Sequence, residues 1–368
     1  MIIVQLIAIL VLPIILLKVQ KKVPWLKAIV LAYILGGLVG NIFPDLFDSN
    51  LLNQATGISI ILAIPLMLFP SPIKSWWSQP KTLVLAYGLA VISTTLTVLI
   101  AWGVFSDSLP HIGLISGMVE GVYTGGTVNL NAIGLAFDAP KELSVLLNGF
   151  DMTFSAVYLL AIFTFLPKLL NRILRPSIKR DIVEITEEGF ESLSGKGKWM
   201  DLGQGFGFAL LALTVVIGGS YLIFGNENEL FIVFGVSVIG LVLSTFSQVR
   251  NLKSNMISAD FLMMIFGFTL GAQANVNEIF SDQSGLMSYF LFTYSLMLFI
   301  HLALSKIFKV DVDSFLISST AAVFGPPFIG PVAESMKNRN LIGPGIIIAL
   351  MGNAIGTYLG IIIVKLLS

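Results

Sequence analysis

Residues 115–140 read ISGMVEGVYTGGTVNLNAIGLAFDAP, and this stretch decides the fold. It lies in an apolar run long enough for a membrane helix, yet it carries Glu120, then Tyr123-Thr124-Gly125-Gly126-Thr127, then Asn129 and Asn131. A Gly-Gly pair between threonines interrupts helical hydrogen bonding. Backbone groups freed in lipid are tolerated only where protein or a water-filled cavity surrounds them. The stretch therefore predicts a broken helix held inside a membrane protein.

The rest of the chain supports that setting. Of 368 residues, 56% are hydrophobic and 11% charged, whereas soluble domains carry about 25% charged residues. A spanning helix needs about 20 mainly apolar residues, so the chain can supply about 10–12 spans and little else. Continuous apolar runs argue against a β-barrel, whose strands alternate. The balance of 21 basic and 21 acidic residues gives no net field for nucleic acid, and the absence of cysteine excludes thiol chemistry and disulfides. MIIVQLIAILVLPIILL (1–17) has neither a basic start nor a small-residue cleavage site and reads as a retained first span. The expected class is an all-α polytopic membrane protein.

Residues 167–200 form the one long hydrophilic stretch, with six apolar runs on either side. This predicts a first transmembrane repeat at 1–170, a cytoplasmic hydrophilic linker at 171–200 and a second repeat at 201–368. Trp25, Trp76, Trp77 and Trp199 fall where interfacial anchors belong. Lysine and arginine bias puts Lys18, Lys21, Lys22, Lys27, Lys74, Lys81, Arg250, Lys253, Lys306 and Lys309 inside, and the loops 44–50, 106–111 and 226–229 outside. Six crossings from an external start then leave the basic 168–180 stretch outside, against the rule. One first-half run must fall short of a full crossing, and 111–137 and the short first run are the candidates.

The second half has its own interrupted run, SSTAAVFGPPFIGPVAESMKNRN (318–340), broken at Gly325-Pro326-Pro327 and followed by Glu334. Adjacent prolines are incompatible with an unbroken helix interior. At an offset of 200 residues Gly125 meets Gly325, Tyr158 meets Tyr358 and Leu159 meets Leu359. Each half thus runs through a broken polar segment, a charged joint and a last span ending in Tyr-Leu. Matching Gly/Pro-interrupted segments in two halves point to a secondary transporter built from repeats. Inverted repeats need an odd number of crossings per half, so the repeat argument asks for the same correction as the charges.

Ionisable residues inside spans are costly and mark functional sites. Glu120, Asp151 and Glu334 are the acids in question, with Asn353 beside the counterpart of Asp151; no lysine or arginine falls mid-span. Oxygen ligands of this kind suit Na⁺ or H⁺ as coupling ion. Tyr123, Thr124, Gly125, Gly126, Thr127, Asn129, Asn131, Gly325, Pro326 and Pro327 are the expected substrate-binding residues. Glu334 has Lys337 and Arg339 nearby, so a surface ion pair is an equal reading; His301 reads as interfacial and Asp260 as a helix cap. HExxH, G-x-S-x-G and P-loop patterns are absent, and no enzyme activity or cofactor is expected.

Four segments resemble one known family. YTGGTVNLNAIGLAF (123–137) is similar to its T-G-G-S-V-N signature, and AVFGPPFIGPVAESM (322–336) to its G-G-P-A-T-A segment. GNAIGTYLG (352–360) is similar to its G-x-A-x-G-x-Y-x-G motif, and LAIPLMLF (62–69) to its P-L-A-x-x-L-L-L-F stretch. The family is domain of unknown function 819, placed near the glutamate and bile-acid sodium symporters and cation–proton antiporters. That kinship implies inverted repeats, two discontinuous helices crossing near the midplane, a core domain and a panel domain. The chain departs from the pattern with Gly325-Pro326-Pro327 for Gly-Gly-Pro and with Asn131 and Gly134 for small apolar residues. The expectation is an ion-coupled transporter of a small organic anion or amino acid in the inner membrane. Its alternatives are a Na⁺/H⁺-type antiporter without organic substrate and a non-transporting structural protein. The partners expected are the lipid bilayer and a small-molecule substrate; a homodimer is left open.

Overall fold

The computed structural model describes residues 2–22, 28–70, 81–177, 196–252, 254–273 and 285–368. Residues 178–195, most of the expected linker, lie outside them, as do Trp25, Trp76, Trp77, Lys27, Lys74 and Lys253. No strand occurs among the described residues. Their α-helices are α1 (Ile2–Lys22), α2 (Ala28–Ile42), α3 (Ser49–Leu68), α4 (Lys81–Phe105), α5 (Ile112–Gly125), α6 (Thr127–Ala136), α7 (Lys141–Phe163) and α8 (Leu166–Leu170). There follow α9 (Lys196–Phe224), α10 (Glu229–Ser244), α11 (Ser247–Arg250), α12 (Ser254–Gln273), α13 (Leu286–Ile307), α14 (Val312–Val323), α15 (Ile329–Ser335) and α16 (Ile342–Leu367).

Six helices among the described residues are long and apolar enough to cross a membrane, and four shorter apolar ones have 10–17 residues. Their outer faces stay apolar: Leu222 is 90% exposed and Phe299 67%. A water-soluble monomer does not sustain such a surface, whereas hydrocarbon solvates it. The chain is an all-α polytopic membrane protein.

Two compact units form, each drawing on both halves of the sequence. One comprises Met1–Ser78 with Lys179–Ala274, the other Gln79–Ile178 with Asn275–Ser368. In the first, α2 and α12 touch along their backbones. A methyl group on Gly36 would lie 2.0 Å from the Phe268 carbonyl oxygen, and one on Gly271 2.3 Å from that of Tyr33. This is the close approach that small residues permit between membrane helices. Gln273 Nε2 donates to Thr56 Oγ1 at 2.7 Å, tying α12 to α3.

The second unit holds both interrupted segments, and each doubles back. Gly126 takes φ 106°, which only glycine adopts without strain, and α6 then runs antiparallel along α5. Asn129 Nδ2 donates to the Gly121 carbonyl at 3.2 Å, and Gly134 lies beside Met118. The second interruption falls at Gly325, φ 78°, followed by a single 3₁₀ turn over Pro326–Phe328. From there α15 returns toward the start of α14, where Asn338 Nδ2 donates to Asp313 Oδ2 at 2.7 Å. The discontinuities expected at 115–138 and 318–336 are present, but each turns the chain around instead of carrying it across.

This geometry removes the topology conflict. Run 111–137 leaves by the end at which it entered, so the first half loses one crossing. The Arg175 backbone pairs with that of Asp311, and the Ser314 hydroxyl donates to Thr82 Oγ1 at 3.3 Å. Lys81, Lys168, Arg172, Arg175, Lys306, Lys309, Lys337 and Arg339 therefore share one end of the unit. The opposite end carries Asp107, His111 and Asp138, with Leu367 against Gly113.

Candidate functional site

The two hairpin tips meet. A methyl on Gly325 would lie 3.2 Å from the Gly125 carbonyl oxygen, and one on Gly126 would be 3.6 Å from the Gly325 nitrogen. The first tip is positioned by α16, which runs antiparallel to α5 with glycine against glycine. Added methyl groups would sit 2.5 Å from the Gly117 carbonyl oxygen at Gly360 and 2.4 Å from that of Thr124 at Gly352. It is also held by α4, where Tyr87 Oη donates to the Thr124 carbonyl at 2.6 Å and Thr94 Oγ1 to that of Tyr123 at 3.0 Å. These bonds satisfy carbonyls near the break, as a membrane interior requires.

Two buried carboxylates flank this tip. Thr127 Oγ1 and Ser155 Oγ each donate to one oxygen of Asp151, both at 3.2 Å. On the other side, Glu120 Oε1 accepts from Thr95 Oγ1 at 2.8 Å and from Thr124 Oγ1 at 3.4 Å. Glu120 is fully buried, and its Oε2 has no hydrogen-bond partner among the described residues. Thr124 and Thr127, on either side of Gly125-Gly126, thus reach one carboxylate each. Asp151 also faces the N-terminus of α6, the positive end of a helix dipole. The arrangement offers carboxylate and hydroxyl oxygens, the ligands that hard cations take.

Aromatic rings continue from this point. The Tyr123 ring meets that of Tyr294 edge-on at 5.2 Å. Tyr158, one face of α7 along from Asp151, stacks on Phe324 at 6.0 Å and bonds through Oη to Ser319 Oγ at 2.8 Å. Tyr123 Oη is buried without a partner among the described residues.

The structure gathers Tyr123, Thr124, Gly125, Gly126, Thr127, Gly325, Pro326, Glu120, Asp151 and Asn353 at or beside the meeting tips. Asn353 is 7% exposed, and its backbone nitrogen would lie 2.5 Å from a methyl on Gly125. Pro327 follows in the same 3₁₀ turn. Other residues sit apart. Asn129 braces three helices: its Nδ2 donates to Gly121, and its Oδ1 accepts from Thr357 Oγ1 at 2.9 Å. Asn131 is exposed and exchanges hydrogen bonds with Asn148, linking α6 to α7. Glu334 forms an ion pair with Arg339 at the base of the second hairpin, with a second contact at 2.6 Å. His301, expected at the interface, is buried and stacks on Phe315 at 4.4 Å; Asp260 is exposed. Sequence reasoning passed over Tyr87, Thr94 and Thr95, although the hydroxyl run Ser93-Thr94-Thr95 in a long apolar helix signals them.

Buried carboxylates at the meeting point of two helical hairpins, in a chain with a lipid-compatible exterior, define a polytopic helical membrane protein with a polar site in its interior. The chain belongs to the membrane family described as Protein of unknown function (DUF819), whose model matches residues 2–368. It is also similar to the uncharacterized membrane protein YjcL of Bacillus subtilis (strain 168), 24% identical over 320 residues. The alignment covers 81% of this chain and 79% of that protein.

Proposed function

We propose that the protein is an ion-coupled secondary transporter of a small organic anion or amino acid, with Na⁺ or H⁺ as the coupling ion. The observation that supports this most is Asp151, a buried carboxylate hydrogen-bonded to Thr127 at the tip of one hairpin where that tip meets the other. Interrupted helices at such depth are tolerated only around protein or a cavity, and transporters use them to bind ions and substrates. A cation at Asp151 neutralises its charge beside the meeting tips. The dipole at the start of α6 then favours a substrate carboxylate.

The charge asymmetry of the second unit orients it, with the basic end on the cytoplasmic face of the cell's inner membrane. The first hairpin then enters from outside and the second from inside. A second reading, cation–proton exchange without organic substrate, is favoured by Glu120 Oε2, which has no hydrogen-bond partner among the described residues.

Proteoliposomes holding the purified chain and screened with radiolabelled carboxylates and amino acids, with and without a sodium or proton gradient, test both readings. Gradient-driven uptake that Asp151→Asn abolishes supports the symport reading. Proton efflux driven by sodium alone supports exchange. If neither gradient drives any flux and Asp151→Asn changes neither ion-dependent melting nor flux, transport at this site is wrong.

A further inference from the structure

The second unit has one feature that transport does not use, an apolar groove on its flank. Tyr158 of α7, Leu166 and Leu170 of α8, Leu298 and Leu302 of α13 and Phe315 of α14 line a cavity of about 160 Å³. Phe299, 67% exposed, stands at its mouth. A helix about 10 Å across cannot enter a space of that size, whereas a single chain of methylene groups can. The groove lies toward the basic end of the unit. Lys306, exposed, follows Leu302 by four residues and so continues the same stripe of α13 one turn further on. The short helix α8, which contributes Leu166 and Leu170, also carries the exposed Lys168.

We infer that this groove is a binding site for an anionic phospholipid, with an acyl chain between α8, α13 and α14 and the phosphate on Lys306. Apolar slots capped by basic residues at the end of a helix bundle match the two parts of such a lipid, and basic residues near a membrane surface attract anionic headgroups. The groove's inner wall gives the lipid a route to the second hairpin. Phe315 lies on its inbound helix, and Tyr158 bonds to Ser319 on that helix and stacks on Phe324 at its tip. A bound chain therefore buttresses α14. This inference stands apart from the proposed transport, since it needs no ion or substrate.

The test uses full-length protein in maltoside detergent, titrated with dioleoyl phosphatidylglycerol or dioleoyl phosphatidylcholine and read by native mass spectrometry. Phosphatidylglycerol is expected to bind more tightly, and Lys306→Gln to weaken it about fivefold, the effect of one basic residue near an anionic surface. Lys306→Arg keeps the preference, as does Lys365→Gln at the opposite end. Leu302→Trp fills the groove and weakens both lipids. Thermal unfolding confirms that each variant is folded. The inference is overturned if the two lipids bind alike, if Lys306→Gln leaves phosphatidylglycerol binding unchanged, or if folded Leu302→Trp binds both as the parent does. Should Lys306→Gln not fold, Leu302→Trp decides the matter alone.

Discussion

Replacing Gly352 with alanine tests the contact on which the first hairpin depends. The added methyl would lie 2.1 Å from Tyr87 Oη and 2.4 Å from the Thr124 carbonyl oxygen. Ordinary contacts are about 3.5 Å or longer, so α16 must draw back from α5 by about 1 Å. Overpacking of this kind costs about 1–3 kcal/mol. The same displacement disturbs the Tyr87–Thr124 hydrogen bond, for about 1 kcal/mol more. A folded unit of this size loses about 2–4 °C per kcal/mol, so the expected fall in melting temperature is roughly 5–15 °C. Tryptophan fluorescence of the purified protein during a heating ramp measures it. Gly88→Ala and Gly103→Ala on α4 are the controls, because a methyl there meets nothing within 4 Å. Alanine favours a helix over glycine by up to about 1 kcal/mol, so these should melt at or above the parent temperature. The packing argument is refuted if Gly352→Ala melts with the parent, or if the controls lose as much.

Three further outcomes follow from the hairpins and their braces. The chain lacks cysteine, so single cysteines at Asp107 and Asp138 should react with an impermeant maleimide from the same side of sealed vesicles, and cysteines at Lys168 and Lys337 from the other; opposite-sided labelling of 107 and 138 would restore a full crossing there. Asn129→Ala leaves the Gly121 carbonyl and the Thr357 hydroxyl without their shared partner and should cost about 1–3 kcal/mol by denaturation, whereas Asn131→Ala, at an exposed position, should stay within about 0.5 kcal/mol. Glu334→Gln breaks an ion pair that is partly open to solvent and should change stability by less than about 1 kcal/mol while leaving any gradient-driven flux intact; a flux lost with that variant would bring Glu334 into the coupling machinery.

The break at Gly125-Gly126 was legible because two glycines between threonines contradict a membrane helix by composition alone. The direction of the chain beyond it was not, since hydropathy reports how much apolar chain is present and nothing of where it heads. The positive charges carried part of that information, as a conflict that a returning segment at 111–137 resolves. Asn129 and Asn131 differ by two residues and look alike in sequence, yet a period of 3.6 residues puts one against α5 and α16 and the other outside. Tyr158 and Tyr358 show the same limit: they match at the repeat offset, but the first is buried and the second 71% exposed. The glycines at 113, 117, 121 and 125 and at 352, 356 and 360 recur every four residues. That spacing announces two helices in backbone contact, a signal present in the sequence and passed over.

The hairpins also fix where charge sits in an electric field. Their inbound helices have 14 and 12 residues, which at 1.5 Å per residue reach about 21 and 18 Å. Entering from opposite ends, they meet near the middle of a membrane about 40 Å thick with its headgroups. One elementary charge crossing a full 100 mV exchanges about 2.3 kcal/mol. A cation arriving at Asp151 from either side therefore crosses roughly half the potential, about 1.2 kcal/mol per 100 mV. If the site binds a cation as proposed, its occupancy depends on voltage as well as on concentration: collapsing 100 mV of interior-negative potential would weaken binding from outside about sevenfold and strengthen binding from the cytoplasm by the same factor.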